Sequence, residues 1–183
     1  MATERDLPAD AGSDAVTAFV HCVNDYCALI EAAPNFTTRE FVREVCLLLA
    51  RLYIAAFELP PDPWPGEHRT WPVSELSHSE RQELQGLIHS VLGEYDGYFE
   101  VFDPYAPDSP VSMHVSEDLL DIYCDLRAGL ELLGTGGRRG IRRAVHSWRC
   151  GFSIHWGDHL VDGLRALHRL LTSVADERGI SRA

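Results

Sequence analysis

Two sets of residues in this chain have the types and spacing that metal chemistry needs. The first is Glu117, Asp118, Asp121 and Asp125 in the stretch VSEDLLDIYCDL. Carboxylates three or four residues apart lie on one face of a helix and can share a divalent cation. The second is His155 and His159, a spacing at which two helical imidazoles can take one ion. Helical enzymes that cleave nucleoside triphosphates pair E-x-x-E on one helix with E-x-x-D on another. Here Asp118 and Asp121 give D-x-x-D, and Glu40 with Glu44 gives E-x-x-x-E, a departure from that pattern.

A helical wheel at about 100° per residue weighs both sets against a simpler role. Leu119, Ile122, Leu126, Leu130 and Leu133 share one side, and the acids fall well away from it. They therefore read as a solvated face, favourable near a helix N-terminus. His155 and His159 fall inside the apolar stripe of the last helical stretch, facing the core and acids of another helix. Two buried neutral imidazoles satisfied by hydrogen bonds would also fit that position. Asp158, Asp162, Arg165 and Arg169 form the polar face beside them, with Asp162 and Arg165 spaced to pair.

Arg138, Arg139, Arg142 and Arg143 are the one basic cluster. They suit a small anion or an acidic partner, or they neutralise the acidic helix across the GTGG turn. Trp64 and Trp71, in a Pro-rich loop, either plug the end of the fold or meet a partner. Nucleophilic catalysis has no support, since no cysteine and histidine share a suitable loop.

Composition narrows the field further. The 183 residues carry 28 acidic and 16 basic side chains, for a net charge of −12, and all the basic ones are arginine. The absence of lysine excludes Schiff-base chemistry and a Walker A phosphate loop. The net charge argues against direct nucleic-acid binding and against adsorption to anionic membranes. No apolar run is long enough to span a bilayer, and the acidic N-terminus lacks the apolar region of a signal peptide. Cys22, Cys27, Cys46, Cys124 and Cys150 lie in apolar helical patterns and read as reduced thiols, which predicts a cytoplasmic location.

The elements that must position these groups are helices. Residues 1–13 read as a disordered acidic tail, 14–178 as one helical domain and 179–183 as a short tail. The first helix starts near Ser13 or Asp14 and stops before Pro34, burying Phe19, Val23 and Ile30. The second opens on a capping box, Thr37 with Glu40, stapled by Phe36 and Phe41, and ends at Pro60-Pro61. Its apolar residues run nearly all round, which predicts a central, mostly buried helix with Glu44 and Arg51 paired across helices. A third opens on Ser77 and Glu80. Residues 95–113 read as a turn of helix and then an irregular loop packed by its own rings. The fourth is capped by Ser116 and stops at Gly134; beyond it lies one long helix, or two with a break near Gly157. The class is all-α, a single-domain bundle of five or six helices.

The stretches FVHCVNDYCALIE, LARLY, EVFDP, VSEDLLDIYCDL and WGDHLVDGLRALHRLL together resemble the bacterial family called domain of unknown function 5063. The resemblance covers about residues 15 to 172 and implies a small helical cytoplasmic protein of bacteria, with no catalytic residue to carry over. The reading on balance is a non-enzymatic accessory module that binds another protein and needs no cofactor. Its rival is a metal-dependent hydrolase of a nucleotide or phosphate ester, acting through the helix carboxylates or histidines. A small-ligand sensor, using the aromatics of residues 95–113, is the third.

Overall fold

The computed structural model describes residues 11–63, 76–101, 105, 107 and 109–176. Trp64, Trp71 and the segments 1–10 and 177–183 lie outside the described residues. Helix α1 (Ala11–Glu31) is followed by a short 3-10 turn at Ala33–Asn35 and by α2 (Thr38–Glu58). Then come α3 (His78–Leu92), strands β1 (Gly97–Glu100) and β2 (Val111–His114), α4 (Val115–Gly134), α5 (Gly137–Ile154) and α6 (Trp156–Asp176). The molecule is an all-α single-domain bundle with one small antiparallel hairpin. No helix among the described residues is long and apolar enough to cross a membrane.

Local chemistry sets most boundaries. Thr37 and Ser77 both form the expected capping boxes, with Glu40 and Glu80 reaching back to the cap amides. The rings of Phe36 and Phe41 lie 6.5 Å apart as the staple that sets the entry to α2. The break in the last helical stretch falls at His155, between Ile154 and Trp156. Gly157 makes that corner feasible, because a Cβ there would sit 2.0 Å from the Phe152 carbonyl oxygen.

Three expectations need correction. The helix enclosed on most sides is α4, which packs against α1, α3, α5 and α6. Helix α2 is amphipathic instead: Phe41, Val45, Leu49 and Leu52 are buried, while Ile54 and Phe57 stay 61% and 64% exposed. Apolar content all round a helix does not bury it when the described neighbours cover one side of it. Glu44 accordingly pairs with its chain neighbour Arg43, on the surface.

The start of α4 differs as well. Ser116 is buried one residue inside the helix, and the cap comes from far along the chain. Asp96 accepts from the Ser116 amide at 2.7 Å and from its hydroxyl at 2.8 Å, while the Asp96 carbonyl takes the Val115 amide. A buried aspartate thereby satisfies orphan helix donors that no local side chain reaches.

The third correction concerns residues 95–113. Gly97–Glu100 pairs with Val111–His114 as a hairpin, Tyr98 opposite Met113 and Glu100 opposite Val111. Alternation along β1 turns Tyr98 and Glu100 inward and leaves Phe99 72% exposed. Phe99 and Tyr105 thus point to solvent and do not wrap an interior.

Candidate metal centre

Helices α4 and α6 run antiparallel past each other, and the chemistry-bearing residues of both meet in the seam. Along α4, Asp118, Asp121 and Asp125 are spaced to project on one face over two turns. Opposite them, His159 lies level with Asp118 and His155 with Asp125. Gly163, one turn beyond His159, faces Asp118, where a Cβ would make an ordinary 3.6 Å contact with the Asp118 Cβ.

Each imidazole donates one ring N–H to a carboxylate of α4. His155 Nδ1 lies 2.8 Å from Asp125 Oδ2, and His159 Nδ1 lies 2.9 Å from Asp118 Oδ1. An imidazole whose Nδ1 carries the proton has its lone pair on Nε2, the atom a metal takes. His159 Nε2 is 3.8 Å from Asp121 Oδ2, and the two rings stand edge to face with centroids 4.8 Å apart. Asp121, His155 and His159 each offer a ligand atom, and these atoms lie within 4.8 Å of one another. A tetrahedral zinc ion with ligands at about 2.0–2.1 Å needs donor separations of about 3.3 Å, so small side-chain movements suffice.

The surroundings hold the donors in place. Arg81 of α3 donates to Asp121 Oδ1 at 2.8 Å, which directs the other Asp121 oxygen toward His159, and it also reaches Cys124 Sγ at 2.7 Å. Asp118 is 1% exposed, and its Oδ2 accepts from the Tyr98 hydroxyl at 2.6 Å. Tyr98 also lies 2.9 Å from Glu100 Oε2, and the charge of that carboxylate acts on Asp162 of α6.

Electrostatics follow this arrangement. The hydrogen bond to Asp125 holds the His155 pKa above its usual value, and the bond to Asp118 does the same for His159. Burial pushes Asp118 up, against the pull of His159 and Tyr98. Burial, then the charge and hydrogen bond of Glu100, raise Asp162 to about 6. Away from the seam, burial lifts the Cys27 thiol to about 12 and Cys46 to about 11, leaving neither as a ready nucleophile.

The two candidate sets therefore meet at one place. Asp121, His155 and His159 form the donor group; Asp118 and Asp125 stand behind the imidazoles. Asp118 and Asp125 are buried, contrary to the solvated face expected of them, because α6 closes over that side of α4. Glu117 stands apart, half exposed near His114 and Gln85. Arg138, Arg139, Arg142 and Arg143 are exposed at the start of α5, level with the C-terminal end of α4. The α4 acids of the seam are met by Arg81 and the histidines instead. Both Glu100 and Arg165 act on the charge of Asp162, in opposite directions. Sequence reading missed Arg81, Tyr98 and Glu100. The inward alternation of GYFE was the available signal for the last two.

Comparison with known proteins places the chain in a family. Residues 11–173 match the family described as domain of unknown function (DUF5063), and the chain belongs to it. It is similar to protein BF1032 from Bacteroides fragilis, a crystal structure with a TM-score of 0.72 at 25% sequence identity. That likeness covers 92% of this chain and 94% of that one. No curated protein matches the chain.

Proposed function

We propose that this member of the DUF5063 family holds one divalent transition-metal ion on Asp121, His155 and His159 and uses it in hydrolysis. The observation that carries the reading is the double carboxylate–imidazole arrangement: Asp125 behind His155 and Asp118 behind His159, with Asp121 between them. Metal-binding histidines are typically oriented this way, since the carboxylate fixes the tautomer and strengthens the ligand. Two nitrogens and one oxygen suit zinc, manganese, iron, cobalt or nickel better than magnesium or calcium. Three protein donors leave positions for water and substrate, as catalytic zinc sites do. Such an ion brings the pKa of bound water down to about 7. Arg81, partly exposed beside Asp121, adds the positive charge that a phosphate ester would seek.

Calorimetry on protein stripped with a chelator tests the reading. Zinc or manganese should bind once per chain at micromolar concentration or below, with magnesium far weaker. Asp121→Asn and His159→Ala should each abolish that binding and any zinc-dependent turnover of p-nitrophenyl phosphate. Failure of every ion to bind tighter than millimolar would leave the seam a set of internal ion pairs.

A second reading, a protein-binding accessory module, has its own support. Tyr53, Phe57 and Phe152 stack edge to face on the outer side of α2 and α5, beside the exposed Ile54 and Ile154. Contiguous exposed apolar groups of this kind mark protein contacts. Its partner would be a protein with an apolar face. Phe57→Glu should abolish co-purification of that partner at stoichiometric amount and leave metal binding unchanged.

A further inference from the structure

We propose that the β-hairpin is part of the metal centre: Tyr98, backed by Glu100, is a positioning residue that fixes the His159 ligand through Asp118. This rests on the metal reading above and extends it to an element from which no ligand comes. The argument starts at Asp118. Its carboxylate is enclosed, and both oxygens are spoken for: Oδ1 by the His159 ring N–H, Oδ2 by the Tyr98 hydroxyl at 2.6 Å. A carboxylate bound at one oxygen swings about its χ2 torsion, whereas one bound at both is locked. The plane of the His159 ring follows from that lock.

Tyr98 is itself held. Its hydroxyl sits between Asp118 and Glu100, at 2.6 and 2.9 Å, and has one proton for two acceptors. The shorter contact takes it. Glu100, 4% exposed, closes the other side of that hydroxyl. The run from Glu100 through Tyr98 and Asp118 to His159 ties strand β1 to α6 by way of α4. A tyrosine serving only as packing would not need its hydroxyl in that gap, and the exposed Phe99 beside it shows that β1 aims Tyr98 inward.

Tyr98→Phe removes one oxygen and keeps the ring. Outer partners of metal-bound histidines are worth about 10- to 100-fold in metal affinity, and Tyr98, acting through Asp118, is set at the low end of that range. Cobalt(II) titration of the chelator-stripped full chain, followed by its d–d absorption, is the readout, with the melting temperature of the metal-free protein measured alongside. The expected result is cobalt affinity reduced about tenfold with an altered d–d spectrum and an unchanged metal-free melting temperature. Cobalt affinity and spectrum equal to wild type would overturn the positioning role while the metal site stands. Failure of the wild-type chain to bind cobalt would instead remove the metal reading itself. A loss of affinity fully matched by a lower metal-free melting temperature, with the spectrum unchanged, would mean general loosening and also overturn the proposal. If Tyr98→Phe does not fold, Glu100→Gln supplies the same readouts: a weaker, spectrally altered cobalt complex supports the role, and a wild-type complex refutes it.

Discussion

Helix α4 carries two unlike seams. Against α5 it packs by shape: Gly129 lies flat under the Trp148 indole, whose N–H donates to the Leu126 carbonyl at 3.1 Å. Trp148 in turn meets Phe19 at 5.0 Å between ring centroids. Against α6 and the corner at His155 the same helix buries Asp118 and Asp125 on His159 and His155. The first seam gains free energy by removing apolar surface from water, at about 25 cal/mol per Å². The second strips water from carboxylates, a penalty of several kcal/mol per ion that pairing roughly offsets. Leucine and alanine at the four seam positions would hold the helices together as well. What the polar seam supplies, and the apolar seam cannot, is a set of directed lone pairs.

The two seams should therefore answer mutation differently. The largest effect belongs to the apolar one. Trp148→Ala leaves an unfilled space in the centre of the bundle and should cost about 3–5 kcal/mol in urea unfolding. Gly129→Ala places a methyl 1.9 Å from the Trp148 ring nitrogen and should also destabilise, by about 1–3 kcal/mol or more. In the protein that remains folded, zinc affinity should be unaltered by Trp148→Ala. A Trp148→Ala protein that folds as stably as wild type would erase the contrast.

Breaking the polar seam on one side strands a charge. His159→Ala leaves Asp118 enclosed with one oxygen unmet, a loss of about 1–3 kcal/mol in the metal-free protein. Replacing both partners, Asp118→Leu with His159→Leu, should restore that stability to near wild type or above it, because neither desolvated group remains. Metal binding should vanish in both variants. A double variant as unstable as the single one would show that the pair serves the fold, and the functional argument for the seam would fail.

Protons sharpen the same contrast. Both imidazoles are held above their usual pKa of 6.5 by their aspartates, so the folded state binds their protons more tightly than the unfolded chain does. That contribution to stability is complete below about pH 6.5 and fades as pH climbs through the raised folded values. Zinc competes with those protons, so its own stabilisation grows over the same rise. The metal-free melting temperature should fall between pH 6 and pH 8 while the zinc-induced shift increases. Parallel curves with and without zinc would disconnect the ion from these histidines.

The sequence disclosed this molecule unevenly, for physical reasons. Capping boxes at Thr37 and Ser77 were legible because each is closed within four residues, and the stripe from Phe19 to Ile30 because burial there is one-sided. The burial of Asp118 was not legible. A wheel centred on the leucines of α4 places it outward, and it is the packing of α6 against α4 that encloses that face. Helix α2 erred the other way, apolar on a side that no described residue buries. The cap on α4 comes from Asp96, twenty residues upstream of Ser116, a distance no local motif spans. His155 and His159 were recognisable as a pair by spacing alone. Their partners were visible as a separate set, and the register that joins the two belongs to tertiary structure. Tyr98 and Glu100 went unseen because a four-residue strand just after a 3-10 turn at Gly93–Tyr95 offers only two inward positions.

The smallest expected effect tests whether the ion belongs to the seam at all. Glu117 and Asp121 lie one turn apart on α4 and looked equivalent as ligands. Their surroundings separate them. The Glu117 side chain is 49% exposed, 3.7 Å from His114 and 3.5 Å from Gln85, contacts that water and salt weaken. Asp121 is turned into the seam, with Arg81 on one oxygen and His159 facing the other. Glu117→Ala should change stability by no more than about 0.5 kcal/mol, as surface substitutions do, and should leave zinc affinity within about twofold of wild type. Asp121→Asn, on the next turn, should remove binding. A tenfold loss of zinc affinity in Glu117→Ala would move the ion off the imidazoles and onto the outer carboxylates of α4. The buried pairs with His155 and His159 would then be a structural seam beside the site, and not the site.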